Sequence, residues 1–256
     1  MVSATWLLFA LLAISAPLQK PAEGRNRIDV RGQVQDVYYS RGTSTADRCN
    51  NVLFLPGDGG WRGFAIDIAH TIASWGYDVY SWDTKRYLEG FSGKPPLKET
   101  EVMDDFRQLG GWIRQNCRAP VTLVGWSEGA GLCLLAAASK DNKSVFNGLI
   151  TLGLGEDNIL AWKWTDYLSY LTKRDVHEPG FKSMPYLPEV SPLPLWMLQS
   201  TGDQYVSGDS SNRMFAAARE PKRYDLIDAR NHRFDGNHDE LFRLMKQGLD
   251  WMNHRN

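Results

Sequence analysis

At 256 residues the chain can form one large α/β domain or two small ones, and it can bury most of its apolar surface in a single core. Its 29 Lys and Arg side chains against 30 Asp and Glu leave a net charge of −1 without a basic stripe, which excludes a nucleic-acid partner. The hydrophobic fraction of 43% and the charged fraction of 23% are ordinary for a globular protein.

The chain opens with an apolar run, Trp6 to Ile14, followed by Ser15, Ala16 and Pro17. A membrane-spanning helix needs about 20 apolar residues, and this run is shorter. It reads as a signal peptide over residues 1–16, cleaved near Ser15 or Ala16, although no Lys or Arg precedes it. The competing reading is a buried helix or short anchor. Residues 17–26 are polar with two prolines and read as a linker, leaving 27–256 as the folded domain of a periplasmic or secreted protein.

Beyond the linker, Ile28–Val30 and Val34–Tyr39 alternate around Gly32 and predict an antiparallel pair. Asn51–Leu55 is a buried strand ending in a glycine cluster. Phe64, Ile68, Ile72 and Trp75 mark one helix face, and Asp78–Trp82 is the next strand. Val102, Phe106, Leu109 and Ile113 line a second helix. Strands follow at Val121–Val124, Phe146–Leu154, Leu193–Gln199 and Arg223–Ile227, and a closing helix carries Leu241, Leu244, Met245, Leu249 and Met252. Alternating strands and helices imply a mostly parallel, eight-stranded sheet with helices on both faces. One stretch breaks the alternation. Residues 155–192 are too long for an ordinary loop and hold Trp162, Trp164, Tyr167, Tyr170, Phe181 and Tyr186, which predicts a lid insertion.

The strand Val121–Val124 runs into Gly125-Trp126-Ser127-Glu128-Gly129 and then an apolar small-residue helix. Strand, turn and helix around G-x-S-x-G are the context of a nucleophile elbow, the mark of an α/β-hydrolase fold. A serine hydroxyl is a weak nucleophile until a base takes its proton and a third group orients the base. In this fold the chain order is Ser, acid, His. His232 and His238 both follow the last strand; His232 lies nearer its end and is the expected base. Asp203 follows a turn glycine after the strand Leu193–Gln199 and is the expected acid; Asp209 reads as a helix cap.

An oxyanion hole needs two backbone N–H groups. Glu128 should give one, and the loop Gly57-Asp58-Gly59-Gly60, followed by Trp61, the other. Phosphate-loop spacings are absent from that loop, and no zinc-protease pattern organises His232, Asp235, His238 and Asp239, so neither metal nor organic cofactor is expected. Trp61, Trp162, Trp164 and Tyr167 are candidate substrate-facing aromatics. Cys49 and Cys117 each precede a strand, and in this fold those strands are parallel neighbours, so the pair is a candidate disulfide. Three separate buried thiols is the alternative, and Cys133 is the remaining cysteine in either case.

Leu55-Pro56-Gly57-Asp58-Gly59-Gly60-Trp61, Asp83-Thr84-Lys85-Arg86-Tyr87 and Gly125-Trp126-Ser127-Glu128-Gly129-Ala130 together resemble motifs of the VirJ/AcvB family of bacterial virulence proteins, a periplasmic branch of the α/β-hydrolases. Pro56 stands where the family has serine, Glu128 where it has phenylalanine, and the strand read at Tyr87-Leu88-Glu89 lacks its aromatic pair. The resemblance implies hydrolysis of aminoacylated phospholipids and contact with a membrane surface or a secretion-system partner. The expectation is an exported serine esterase acting on a lipid or acyl ester. Its competitor is a non-catalytic hydrolase-fold protein that binds a secretion partner or lipid.

Overall fold

In the computed structural model the described residues are 21–43, 49–93, 95–162 and 179–254. The strands are, in chain order, β1 (Gly24–Val30), β2 (Gln33–Ser40), β3 (Asn51–Leu55), β4 (Asp78–Trp82) and β5 (Val121–Trp126). They continue as β6 (Phe146–Leu152), β7 (Asp157–Ile159), β8 (Gly180–Lys182), β9 (Leu195–Ser200) and β10 (Lys222–Ile227). Eight of them form one sheet in the order β1-β2-β4-β3-β5-β6-β9-β10. The pairs β1–β2 and β2–β4 are antiparallel and the others parallel, as the alternation of elements predicts. The hairpin begins at Gly24, so Gly24–Asn26 belong to the sheet rather than to a linker.

Helices cover both faces, and the strands show it residue by residue. Leu53, Leu55, Leu123, Leu149 and Met197 face one layer; Val52, Phe54, Val124, Ile150 and Leu198 face the other. Side chains alternate along a strand, so a parallel sheet covered on both faces must be apolar at every position. The first layer contains α3 (Glu99–Asn116) and α4 (Glu128–Ala138), and the second contains α1 (Phe64–Ser74) and α6 (His238–Asn253). α4 is apolar all round because it is buried all round, from Gly129 to Ala138. Two shorter helices are α2 (Thr84–Gly90) and α5 (Gly208–Ala217). Tyr87-Leu88-Glu89 therefore lie in α2, not in a strand: Asp83 caps that helix by accepting from Arg86 N–H at 3.2 Å.

The hairpin is latched to the helices by a buried charge. Asp105, 1% exposed, takes two hydrogen bonds of 2.8 Å from Arg31 and one of 2.7 Å from the Tyr87 hydroxyl. Residues 155–192 contain the antiparallel pair β7–β8 and a 3-10 turn at Leu187–Val190. Phe181 is buried and meets Tyr186 edge-on, both packed into the first layer rather than presented as lid. Trp164, Tyr167, Tyr170 and His177 lie outside the described residues, as does the segment 1–16 read from the sequence as a signal peptide. Among the described residues no helix is long and apolar enough to cross a membrane.

β3 and β5 are parallel neighbours with Asn51 opposite Val121. The cysteines just before them, Cys49 and Cys117, are bridged with a Cα separation of 6.1 Å. Asn51 reinforces the same edge by donating to the carbonyls of Cys117 and Ala119, each at 3.1 Å. Cys133 is free and buried, and burial pushes its thiol well above the ordinary range. Denatured, unreduced protein should titrate one thiol. The double variant Cys49→Ser/Cys117→Ser should lose about 4 kcal/mol in urea unfolding, the closure entropy of a loop of this length. Three titratable thiols would contradict the bridge.

Candidate active site

Ser127 follows β5 directly and stands at φ 56°, ψ −126°, a conformation that L-residues avoid at a cost of about 1–3 kcal/mol. Its N–H donates to Leu152 O at 2.8 Å, and its carbonyl accepts from Ala130 N–H at 2.8 Å, so the turn is fixed from both sides. The flanking glycines are steric requirements. A Cβ on Gly125 would lie 2.5 Å from the Ala130 Cα, and one on Gly129 would run into the carbonyls of Leu55 and Pro56. The elbow is thus wedged between the end of β3 and the start of α4.

Asp203 follows β9 and His232 follows β10, and their side chains meet: His232 Nδ1 lies 2.6 Å from Asp203 Oδ2. Both are buried, with side-chain exposures of 7% and 0%. Asp203 Oδ2 also accepts from Gln199 Nε2 at 2.7 Å, while Oδ1 accepts from Tyr205 N–H at 2.9 Å and Val206 N–H at 3.1 Å. Burial alone would push this carboxyl up. The bonds from His232, Tyr205 and Val206 outweigh it and hold the group below the usual carboxylate range. The His232 backbone is held too, its N–H on Gln204 Oε1 at 3.1 Å and its carbonyl on Trp126 Nε1 at 3.2 Å.

His232 and Ser127 are joined through the end of β6. Leu152 takes the Ser127 N–H, and the next residue, Gly153, sits at φ 60° directly against the imidazole. A Cβ there would lie 2.5 Å from His232 Cε1. The far ring nitrogen, Nε2, is buried and has no hydrogen-bond partner among the described residues. His238 is elsewhere: it starts α6, lies 3.0 Å from Arg233 O through Nε2, and stacks on Phe64 at 4.6 Å. The two histidines that a metal reading would combine therefore serve separate partners. Asp209 lies in the first turn of α5 and does not cap it; Ser207 is the cap, accepting from Ser210 N–H at 3.2 Å.

The glycine loop after β3 closes over the elbow. A Cβ on Gly57 would lie 3.0 Å from the Ser127 Cβ, so backbone replaces side chain at the closest approach. Thr84 orients the loop by donating to Pro56 O at 2.6 Å. Gly60 drops out as an oxyanion donor, because its N–H closes a turn onto Gly57 O at 3.0 Å. It sits at φ 75° with no room for a Cβ beside Asp83. Gly57, Asp58 and Gly59 remain at the loop, with Asp58 exposed. Trp61 braces the loop by stacking on Tyr38 at 4.9 Å. Glu128 turns its carboxylate to Ile159 N–H at 2.6 Å and so ties the elbow to β7. Trp162 donates its N–H to Ser92 Oγ at 2.7 Å, and Lys85 Nζ lies 4.2 Å above its ring.

Four contributors went unread in the sequence: Thr84, Gly153, Gln199 and Gln204. Gln199 left a signal, an amide ending the apolar run Leu195-Trp196-Met197-Leu198, where burial is costly unless hydrogen-bonded. Gly153 left another, a glycine just past a buried strand.

Sheet order, elbow and strand-end loops together define an α/β-hydrolase fold. Est1E from Butyrivibrio proteoclasticus superposes with a TM-score of 0.69 at 12% identity, over 91% of this chain and all (100%) of that one. The esterase domain of a Rhodothermus marinus protein gives 0.61 at 18% identity, covering 89% and 96%. A soluble variant of monoglyceride lipase from Saccharomyces cerevisiae, solved with a substrate analog, gives 0.66 at 14% identity, covering 93% and 98%. Over residues 50–162 the chain matches the family of the bacterial virulence protein VirJ, a stretch that holds the glycine loop, Asp83–Tyr87 and the elbow. No curated protein matches it in sequence.

Gly153→Ala should force a left-handed alanine, costing about 1–2 kcal/mol, and drive the imidazole off Asp203. Urea unfolding should register the loss, and the far-downfield proton resonance of His232 Nδ1–H should disappear. An unchanged resonance at wild-type stability would contradict the packing described.

Proposed function

We propose that this chain is an exported serine hydrolase that cleaves a carboxylic ester, with Ser127 as nucleophile, His232 as base and acid, and Asp203 as the orienting carboxylate. The observation that carries the reading is the 2.6 Å bond from His232 Nδ1 to a fully buried carboxylate, with Nε2 buried and without a partner among the described residues, and with Ser127 strained at φ 56° at the elbow. His232 Nε2 takes the hydroxyl proton as Ser127 Oγ attacks the ester carbonyl carbon. The N–H groups of Glu128, in the first turn of α4, and of the Gly57–Gly59 stretch receive the developing oxyanion. His232 then gives its proton to the departing alkoxide, leaving an acyl-serine. Water, deprotonated by the same imidazole, attacks that acyl group, and the acid leaves as the serine is restored.

Asp203 confines its proton partner to one tautomer and stabilises the imidazolium as it forms. Its lowered folded pKa carries a sign for stability. The contribution is present above the ordinary carboxylate range and is lost as pH falls through the lowered folded value. Export is supported by the apolar run Trp6–Ile14 and by the Cys49–Cys117 bridge, which needs an oxidising compartment. The VirJ match supports a lipid or acyl ester, with an aminoacyl ester of phosphatidylglycerol as the specific candidate. On that reading the protein works at a membrane surface, and a secretion-system partner follows from the family alone.

With p-nitrophenyl butyrate, Ser127→Ala and His232→Ala should each lower kcat by about 10⁴-fold or more, and the double variant should lose little further. Asp203→Asn should cost about 10⁴-fold and also remove the acid-side stability increment, read from urea unfolding at two pH values. A His232→Ala protein of near wild-type activity would overturn the assignment. For the substrate, purified protein should release lysine from lysyl-phosphatidylglycerol vesicles faster than it cleaves the short ester. Activity confined to soluble esters would remove the lipid from the proposal and leave the triad.

A further inference from the structure

β9 delivers more than the acid. Gln199, four residues before Asp203, is 2% exposed and follows the apolar run Leu195-Trp196-Met197-Leu198 in β9. Its Nε2 donates to Asp203 Oδ2 at 2.7 Å and to Val206 O at 3.3 Å, so both amide protons have acceptors. The amide orientation follows from charge: the alternative would set a carbonyl oxygen against an ionised carboxylate. The acceptor oxygen is the one that faces His232 Nδ1 at 2.6 Å. The opposite oxygen, Oδ1, is held by the backbone of Tyr205 and Val206.

The backbone N–H groups alone would hold one oxygen and leave the carboxylate free to swing the other away from the imidazole. A second donor on Oδ2 removes that freedom. The choice of a neutral amide matters as well. A lysine or arginine here would pair with the carboxylate and compete with the imidazolium for its charge, whereas an amide fixes the oxygen and leaves the charge in place. We infer that Gln199 is a positioning residue for the triad, holding Asp203 Oδ2 on the line to His232 Nδ1.

The inference rests on the triad reading above. Gln199 touches neither Ser127 nor substrate and acts through Asp203. Removing its bond takes away one donor that favours the ionised carboxylate, so the carboxyl should keep its proton to higher pH. Replacement by glutamate would set a second carboxylate against Oδ2, so that at neutral pH repulsion displaces that oxygen further than loss of the bond alone.

The test uses Gln199→Met, which keeps the volume, and Gln199→Glu, which keeps the shape. Full-length protein is assayed on p-nitrophenyl butyrate across pH, with the far-downfield His232 Nδ1–H resonance and the unfolding midpoint recorded for each variant. Gln199→Met should lower kcat by about 10- to 100-fold, the range for one hydrogen bond to a charged group, with KM unchanged. Its low-pH loss of activity should begin at higher pH, and the resonance should move or broaden. Gln199→Glu should fall further at neutral pH and depend more steeply on pH. Wild-type kcat, pH profile and resonance in both variants would overturn the inference. So would a fall in kcat that only tracks the folded fraction while profile and resonance stay put. Neither result would touch the triad reading, which Ser127→Ala in the Gln199 background decides.

Discussion

Ser127 stands at φ 56° because three pieces of main chain leave it no other path. β5 brings it to the end of the sheet, α4 departs so abruptly that only glycine fits at 125, and the end of β3 passes so close that only glycine fits at 129. The strain of about 1–3 kcal/mol is local, and the parallel core of β3, β5 and β6 holds it in place. Neighbouring strand ends pack against that one residue. The glycine loop lies against it through Gly57, and β6 binds its N–H and then presents Gly153 to the imidazole.

Asp203 and His232 meet at the C-terminal ends of β9 and β10, at the same end of the sheet as the elbow after β5 and the loop backbone from the ends of β3 and β6. This is where an open α/β sheet gathers its loops. The acid and base are oriented by neighbours rather than by each other alone. Gln199, Tyr205 and Val206 hold Asp203, while Gln204 and Trp126 hold the His232 backbone. The opposite edge of the sheet carries the covalent restraint. Cys49 and Cys117 tie β3 to β5 at their starts, so the bridge stiffens the two strands that position elbow and loop without touching the chemistry.

Much of this was legible in the sequence because it is local. Alternating apolar runs define strands that are covered on both faces, and the G-x-S-x-G stretch with its strand and helix predicts the elbow. Of the order Ser127, Asp203, His232, the fold joins Asp203 to His232 at 2.6 Å and sets Ser127 at the elbow after β5. What escaped was set by contacts between distant segments. Nothing near Gly153 says that a histidine about eighty residues on will press against it, and Thr84 meets Pro56 only after β4 has paired with β3. Gly24–Asn26 resembled a linker because β1 is an edge strand, with one face and one side open to polar residues. α2 was missed because its buried Tyr87 and Leu88 fill little more than one turn.

The central claim is that this geometry makes Ser127 nucleophilic. A fluorophosphonate probe tests it most directly, since the adduct forms by the same attack and needs no knowledge of the natural substrate. Peptide mapping of the labelled protein should place the adduct on Ser127, with labelling lost in Ser127→Ala and strongly slowed in His232→Ala. A folded wild-type protein that takes no label, or takes it at another residue, would contradict the account.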